Sequence, residues 1–467
     1  MVPTRIASPR AALLAVLAVC AALAAGCAAP YELTYPEPRP LGATLPTVGP
    51  EPEEAVPDTP RVALDGPLTL AEAVVLALEY NPALRAAAYE VRAREGEAYQ
   101  AGRPPNPEVE AGIEEFGGTG ERTGLGAAEI GGGIAQTIEL GGDRRARAAV
   151  AAREAELGAW AFEAARLDLV TEVRQAFAAV LAAEARLALA EEQREIARRF
   201  AGAVTRRAEE GAVSPLEGRR ATVAAVTAET VLGRARRTAQ SARARLAATF
   251  GGDPSAVEVD GDLTTLAPVP ELEALAPLIE LNPEVARYRT ALEQARARVR
   301  LERARRIPDP TVRAGGAYFN EVGEAAVTAG VSIPIPLLDT NRGTIQAAEA
   351  RVAATAAEAE AAVLRVEREL AETYGLLAAS VEAAHMLREE ALPNARAAYE
   401  GILTGYREGE FDLLAVLDAQ RALIETQNAY TDALADARQA RAAVERLVAT
   451  PIDAVDDVRG GLLPDND

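Results

Sequence analysis

Cysteine is almost missing from this chain. Of 467 residues only Cys20 and Cys27 are cysteines, and both lie near the start. A cut just before Cys27 leaves the mature chain no other cysteine, and so no disulfide, no cysteine-based metal site and no thiol nucleophile. Histidine is as scarce. His385 is the single one, beside Met386, and one imidazole without cysteine makes no usual zinc or copper site. Aromatic residues are 4% of the chain, few for a globular core of this length. Basic residues are outnumbered, 49 against 70 acidic ones, for a formal net charge of −21. A chain so acidic binds nucleic acid poorly and draws cations into any cavity its carboxylates line. There is no Gly-rich phosphate loop and no nucleophile–base–acid set. Nothing calls for a cofactor, and an enzyme is not expected.

Long apolar runs are missing too, apart from Ala11 to Ala25, which is too short to span a bilayer as a helix. With Arg5 and Arg10 flanking it, this run reads as a secretory signal over residues 1–26. It ends Leu-Ala-Ala-Gly-Cys and resembles a bacterial lipoprotein signal, so Cys27 is the expected lipidated first residue of the mature chain. Cleavage there takes two arginines and moves the formal charge to about −23 by the same counting. Residues 27–66 are Pro-rich and polar and read as an extended tether.

What the chain does have is Ala, Leu, Glu and Arg in long periodic runs, and it has them twice. From Leu68 a helix opens with Thr69 as N-cap and Glu72 at the capping-box position, and Asn81-Pro82 interrupts it. Arg103-Pro104-Pro105-Asn106-Pro107 ends it. Val109, Ala111 and Ile113 then alternate with Glu108, Glu110, Gly112 and Glu114, and a second alternating run covers about Leu125 to Ile138. A long helix follows from about Asp143 to Arg207, with Leu167, Val170, Val173, Phe177, Val180 and Leu187 at coiled-coil spacing. At 1.5 Å per residue it spans on the order of 90 Å. A break at Glu210 to Pro215 turns the chain into a returning helix that ends at Phe250. After residues 251–271 the landmarks recur at an offset of roughly 200 residues. Asn282-Pro283, Arg306-Ile307-Pro308-Asp309-Pro310, a hairpin over Val312–Tyr318 and Ala325–Ile333, a helix over 343–406 and a break at Glu408 to Asp412 answer the first set. The expected organisation is therefore a repeat at 67–250, a linker at 251–271, a second repeat at 272–450 and a tail at 451–467.

Physical chemistry then limits the assembly. The alternating segments are about nine to eleven residues long, the length of a tilted β-strand across a bilayer. Four such strands cannot close a barrel, and lipid tolerates no open sheet edge. Other copies of the chain must complete the sheet, and three copies would supply twelve strands. Glu108, Glu110, Glu114 and Arg313 would then face a water-filled lumen. The expected fold class is mainly α with a membrane β-barrel portion. It is built from a duplicated unit of helix, β-hairpin and long helical hairpin, with a trimeric twelve-stranded barrel standing on an α-helical tunnel.

The run LTLAEAVVLALEYNP, the Pro-rich break after each helix, IPLLDTNRG, EEGAVSPLEGRRA and YREGEFDLLAVLDAQ resemble the TolC-like outer-membrane efflux channels. IELGGDRRAR at 138–147 and the run at 392–430 are similar to the heavy-metal cation efflux (CzcC-like) lipoprotein branch of that family. The resemblance implies a homotrimer in the bacterial outer membrane, lipid-anchored, with a periplasmic tunnel. It implies a periplasmic adaptor and an inner-membrane pump of the RND type as partners. It also implies a passive conduit for heavy-metal cations or drugs, with no chemistry of its own. Asp418 matches an acidic residue that rings the periplasmic aperture in the family, and Asp412 lies just before it; Ala415 stands where the family carries a further acid. The breaks carrying Gly211, Val213 and Ser214, and Gly409 and Phe411, match the tips that meet the adaptor. Apolar Val213 and Phe411 at such tips need cover. Arg145, Asp339 and Arg342 fall at the barrel–tunnel junction, where an ion pair or helix cap is the expected role. Pro393 is expected to kink the second long helix. Two other functions compete: a type I secretion exit duct of the same fold, and a periplasmic adaptor or coiled-coil scaffold.

Overall fold

A computed structural model describes residues 33–42, 62, 64 and 66–455. Cys27 and the signal segment lie outside the described residues. The element order is helix, helix, hairpin, long helix, returning helix, and then the same again. The first set comprises α1 (Leu70–Tyr80), α2 (Pro82–Ala101), β1 (Glu108–Glu114), β2 (Glu129–Thr137), α3 (Asp143–Glu209) and α4 (Pro215–Phe250). The second comprises α5 (Pro283–Ala304), β3 (Thr311–Phe319), β4 (Glu324–Ser332), α6 (Arg342–Met386), α7 (Leu392–Glu408) and α8 (Leu413–Val448). Short turns over Leu272–Leu275 and Ala276–Leu281 precede α5. The chain divides into two compact units, and α2, α3, α5 and α6 contribute residues to both.

One unit holds the four-stranded sheet, in the order β1-β2-β3-β4 with every pair antiparallel. The β2–β3 pairing joins the two halves of the chain, with Gly133 opposite Gly315 and Ile134 opposite Ala314. No side chain fits between those strands: a Cβ on Gly133 would lie 2.8 Å from the Ala314 carbonyl oxygen, and one on Gly315 would collide with that of Gly132. Glycine is required there for close backbone approach.

The other unit holds the main apolar core. Leu167, Val170, Val173, Phe177 and Val180 of the seam read from the sequence are buried there with Leu78, Leu246 and Phe250, while Leu187, the last of that seam, lies outside this core and is only half-buried. Thr69 caps α1 with the reciprocal Glu72 contact of a capping box. Each Asn-Pro pair does more than interrupt a helix. The Asn81 amide donates to the Thr249 carbonyl at 2.8 Å while its oxygen accepts from the N–H groups of Ala83 and Leu84. Asn282 repeats this with the Leu447 carbonyl at 2.9 Å and the Glu284 N–H at 2.8 Å. Each asparagine thus caps the helix it begins and ties it to the end of the returning helix.

The described part of the expected tether and the expected linker are both packed against helices. Residues 33–42 of the expected tether run along α3, with Leu41 fully buried and its N–H bonded to the Ala449 carbonyl at 3.0 Å. Arg166, itself 2% exposed, holds the carbonyls of Leu41 and Arg39 and both oxygens of the Glu163 carboxylate. Composition marked the segment as extended but could not show that α3 offers it a buried arginine. In the expected linker, Val257 is buried in the core, and residues 258–260 bracket Leu68 with backbone bonds from Leu68 N–H to Glu258 and from Asp260 N–H to Leu68. Arg438 on α8 donates to the carbonyls of Asp262 and Thr265.

The second long helix is interrupted near Pro393, as its sequence suggests. Its form is a π-turn over Leu387–Ala391 rather than a simple break. Proline lacks the N–H for an i−4 bond and its ring crowds that carbonyl; one widened turn accommodates both. The two halves of the chain are stapled by ion pairs from α3 to α8: Arg174 to Glu445, Asp168 to Arg446 and Arg186 to Asp432. Glu445, 2% exposed, also takes Arg441 at 3.2 Å and the Ile452 N–H at 3.0 Å.

Candidate functional site

Among the described residues no helix is long and apolar enough to cross a membrane. The sheet, instead, has one apolar face. Strand alternation places Val109 and Ile113 of β1, Ile130 and Ile134 of β2, Val312 and Tyr318 of β3, and Val327 and Val331 of β4 on one side. Apart from Val312 these are exposed large apolar side chains, with Val109 reaching 83%. In water such a patch is a liability, and against hydrocarbon it is the stable arrangement. The opposite face carries Glu108, Glu110, Glu114, Glu129, Arg313 and Glu324 among glycines, alanines and threonines, with Phe319 at one end. Arg313 reaches Glu110 at 3.5 Å on that face. β1 and β4 each leave one edge unpaired.

At the rim of the sheet the strands hand over to helices. Asn341 adopts a left-handed conformation, φ 55°, immediately before α6. Asp339 fixes it by accepting the Asn341 N–H at 2.9 Å. The Asn341 amide donates to the Glu302 carbonyl at 2.7 Å and to the Glu302 carboxylate at 3.2 Å. Asp339 therefore acts as a turn and cap residue. Arg342 and Arg145 do not form the expected ion pairs; both are exposed, and neither has a charged partner among the described residues. Arg147, two residues beyond Arg145, does that work. Its guanidinium meets Glu139 at 2.9 Å and Asp143 at 3.3 Å and bonds the Ala101 and Arg103 carbonyls. One helical turn separates Arg147 from Asp143, an i,i+4 spacing visible in the sequence.

The two breaks are tight turns between long helices. Gly211 and Gly409 take φ 77° and 86°, which glycine adopts without strain. Ser214 caps α4 by accepting the Leu216 N–H, and Asp412 caps α8 by accepting the Ala415 N–H at 2.9 Å. Val213 is covered within the chain by Val204 and Ala221. Phe411 lies over Gly405, where a Cβ would meet its ring at close range, yet remains 46% exposed. Leu216 and Leu414 are exposed as well, separated by the same spacing as Gly211 and Gly409. That shared spacing was the signal that could have found them. Behind the tips the rings of Phe200 and Tyr406 meet at 5.7 Å, with Arg207 stacked over Tyr406. Burial raises the Tyr406 phenol above its ordinary value. Asp418 lies on α8, exposed, with Arg421 at 4.0 Å. Asp412 and Asp418 are thus on the same helix start, but the carboxylate of Asp412 is taken up by its cap. His385 is exposed, with Glu389 at 4.0 Å. Among the described residues no group of three or more His, Cys, Asp or Glu is placed to hold a metal ion.

A β-hairpin followed by a long helical hairpin, present twice in one chain, with the two β-hairpins joined in one amphipathic sheet, defines a channel-forming outer-membrane protein. The profile of the family described as "Outer membrane efflux protein" matches residues 73–252 and again residues 275–450, and the chain belongs to that family. It is 34% identical over 394 residues to the cobalt-zinc-cadmium resistance protein CzcC of Cupriavidus metallidurans, covering 84% of this chain and 92% of that protein. It is 29% identical over 295 residues to the nickel-cobalt-cadmium resistance protein NccC of Alcaligenes xylosoxydans, covering 62% of this chain and 65% of that one. The fold matches the crystal structure of CusC with a TM-score of 0.70 at 16% identity, over 86% of this chain and all of that one. The protein is an outer-membrane efflux channel component.

Proposed function

We propose that the chain forms a homotrimer whose three sheets close a twelve-stranded barrel, and that heavy-metal cations are its cargo. The supporting observation is the sheet: an exposed apolar face, an acidic opposite face and two unpaired edges in one chain. An open edge cannot persist in lipid, so closure by further copies is the solution that satisfies every backbone group. The acidic face then lines the lumen and raises the local concentration of cations. The protein is a passive conduit. The pump and a periplasmic adaptor supply direction, the adaptor meeting the tips at Gly211, Val213, Ser214, Gly409 and Phe411. Cover for Leu216, Phe411 and Leu414 is the physical reason for that contact. Asp418, repeated in three copies, forms the acidic ring of the periplasmic aperture. The mature chain begins at a lipidated Cys27. The named metals of the similar proteins CzcC and NccC support cobalt, cadmium, zinc or nickel as cargo.

The test has two arms. The detergent-solubilised protein is weighed and then reconstituted in a planar bilayer; a monomer, or a trimer without conductance, refutes the barrel. A strain lacking the gene is challenged with the four metals; unchanged sensitivity refutes the cargo while leaving the channel standing.

A further inference from the structure

We propose that the groove between α5 and α6, at the rim of the sheet, binds the headgroup of an anionic phospholipid. The proposal rests on the reading of the sheet as membrane-embedded. The groove is lined by Arg298, Arg305, Arg306 and Arg351 together with Pro334 and Ile335. Its two acids are already engaged. Glu302 is buried and takes Arg305 at 3.0 Å and Arg298 at 3.4 Å, and Asp339 takes the Asn341 N–H. The side chains of Arg306 and Arg351 are exposed and make no ion pair or hydrogen bond among the described residues. In a chain with 70 acidic residues against 49 basic ones, carboxylates were not in short supply. Two cations left open beside an apolar wall call for an anion that brings its own apolar part.

The position selects the anion. Ile333 and Ile335 follow Val331 and are exposed, as are Leu337 and Leu338 after them. The apolar surface of the sheet therefore runs directly into the groove where the free guanidinium groups sit. A bilayer has the same order, acyl chains and then phosphates. Arginine offers phosphate a planar two-pronged donor and keeps its charge on an apolar surface. The sequence holds no lysine, so every basic group at this level is of that kind. The same rim carries Arg103, Arg145 and Arg342, all exposed and without an ion pair among the described residues, with Arg103 stacked on Tyr99 at 3.9 Å. Aromatic and cationic side chains together mark the headgroup level of a membrane.

The full chain, purified in detergent, is titrated with phosphatidylglycerol and separately with phosphatidylcholine under native mass spectrometry. The wild type is expected to retain phosphatidylglycerol preferentially. The double variant Arg306→Gln, Arg351→Gln is expected to bind it roughly thirtyfold more weakly, from the usual contribution of two arginines near an anionic surface. Ile335→Ser should weaken retention while leaving the preference for the anionic lipid. Equal retention of the two lipids, or no loss in the double variant, overturns the site. So does displacement of the lipid by a millimolar excess of inorganic phosphate. A double variant that loses its oligomeric state also overturns it, showing the groove to be an interface between copies. Conductance of the same wild-type preparation is read beside it. A protein that conducts without arginine-dependent lipid binding refutes the site alone; one that does neither refutes the membrane reading of the sheet.

Discussion

Replacing Arg166 by methionine tests how the N-terminal segment is held. The guanidinium donates to Glu163 at 2.8 and 2.6 Å, to the Leu41 carbonyl at 3.0 Å and to the Arg39 carbonyl at 3.3 Å. Methionine fills much of the volume and removes all four. Glu163, 5% exposed, would keep only the Arg39 N–H at 2.7 Å. Leaving one partner of a buried pair uncompensated costs about 3–5 kcal/mol. The molecule has a cheaper response. Undocking residues 33–42 re-solvates Glu163 and the two carbonyls, and gives up the burial of Leu41, about 1.5–3 kcal/mol. The local release therefore sets the effect, and opening becomes easier by about 3 kcal/mol. Hydrogen exchange reads it at the Leu41 amide, which is bonded to Ala449. Exchange there should rise by roughly a hundredfold, while amides of α3 around Val173 change little. Glu163→Leu added to Arg166→Met should recover part of the loss, because no charge is then stranded. Unchanged protection at Leu41, or a double variant worse than the single one, refutes the reasoning.

Other substitutions test other joints. Asn282→Ala removes the tie to Leu447 and the cap on Glu284 at a residue 2% exposed, and should cost about 1–3 kcal/mol in chemical denaturation. The exposed surface substitution Arg219→Gln serves as the neutral control. Gly315→Val drives a side chain into the Gly132 backbone and, if the sheets close the proposed barrel, should abolish its compact, heat-modifiable band on semi-native gels. Asp453 is held below the ordinary aspartate range, first by its hydrogen bond from Arg441 at 2.6 Å. A depressed pKa stabilises above the unfolded value and is lost as pH falls through the folded one. Residues 451–455 should therefore stay protected at neutral pH and through mild acid, and begin to loosen below about pH 3.9, read by hydrogen exchange at the Ile452 amide. Asp453→Asn should remove that pH dependence.

The elements of this fold were largely legible because each is specified by local periodicity. The period-2 runs at 109–113 and 325–331 became strands, and the seam from Leu167 to Val180 became the buried face of α3. The tips were legible because Gly211 and Gly409 are needed for a left-handed turn whatever surrounds them. Roles that depend on a distant partner were not legible. Arg145 and Arg342 stood at matching places in the two halves, yet Arg147 makes the ion pairs, because only the folded joint brings Glu139 within reach. Asp412 reads in sequence as one acid beside another, and the structure commits its carboxylate to the Ala415 N–H.

Local pattern sufficed for four short amphipathic strands and long helical hairpins in two similar halves, since strand alternation, helix seams and turn glycines act over a few residues. Tertiary structure alone decided that β2 pairs with β3 across the halves, that the Pro-rich segment 33–42 docks on α3, and that the two asparagines clamp the ends of the returning helices. Those contacts join residues more than a hundred positions apart. Their energy comes from desolvated partners that no local pattern records.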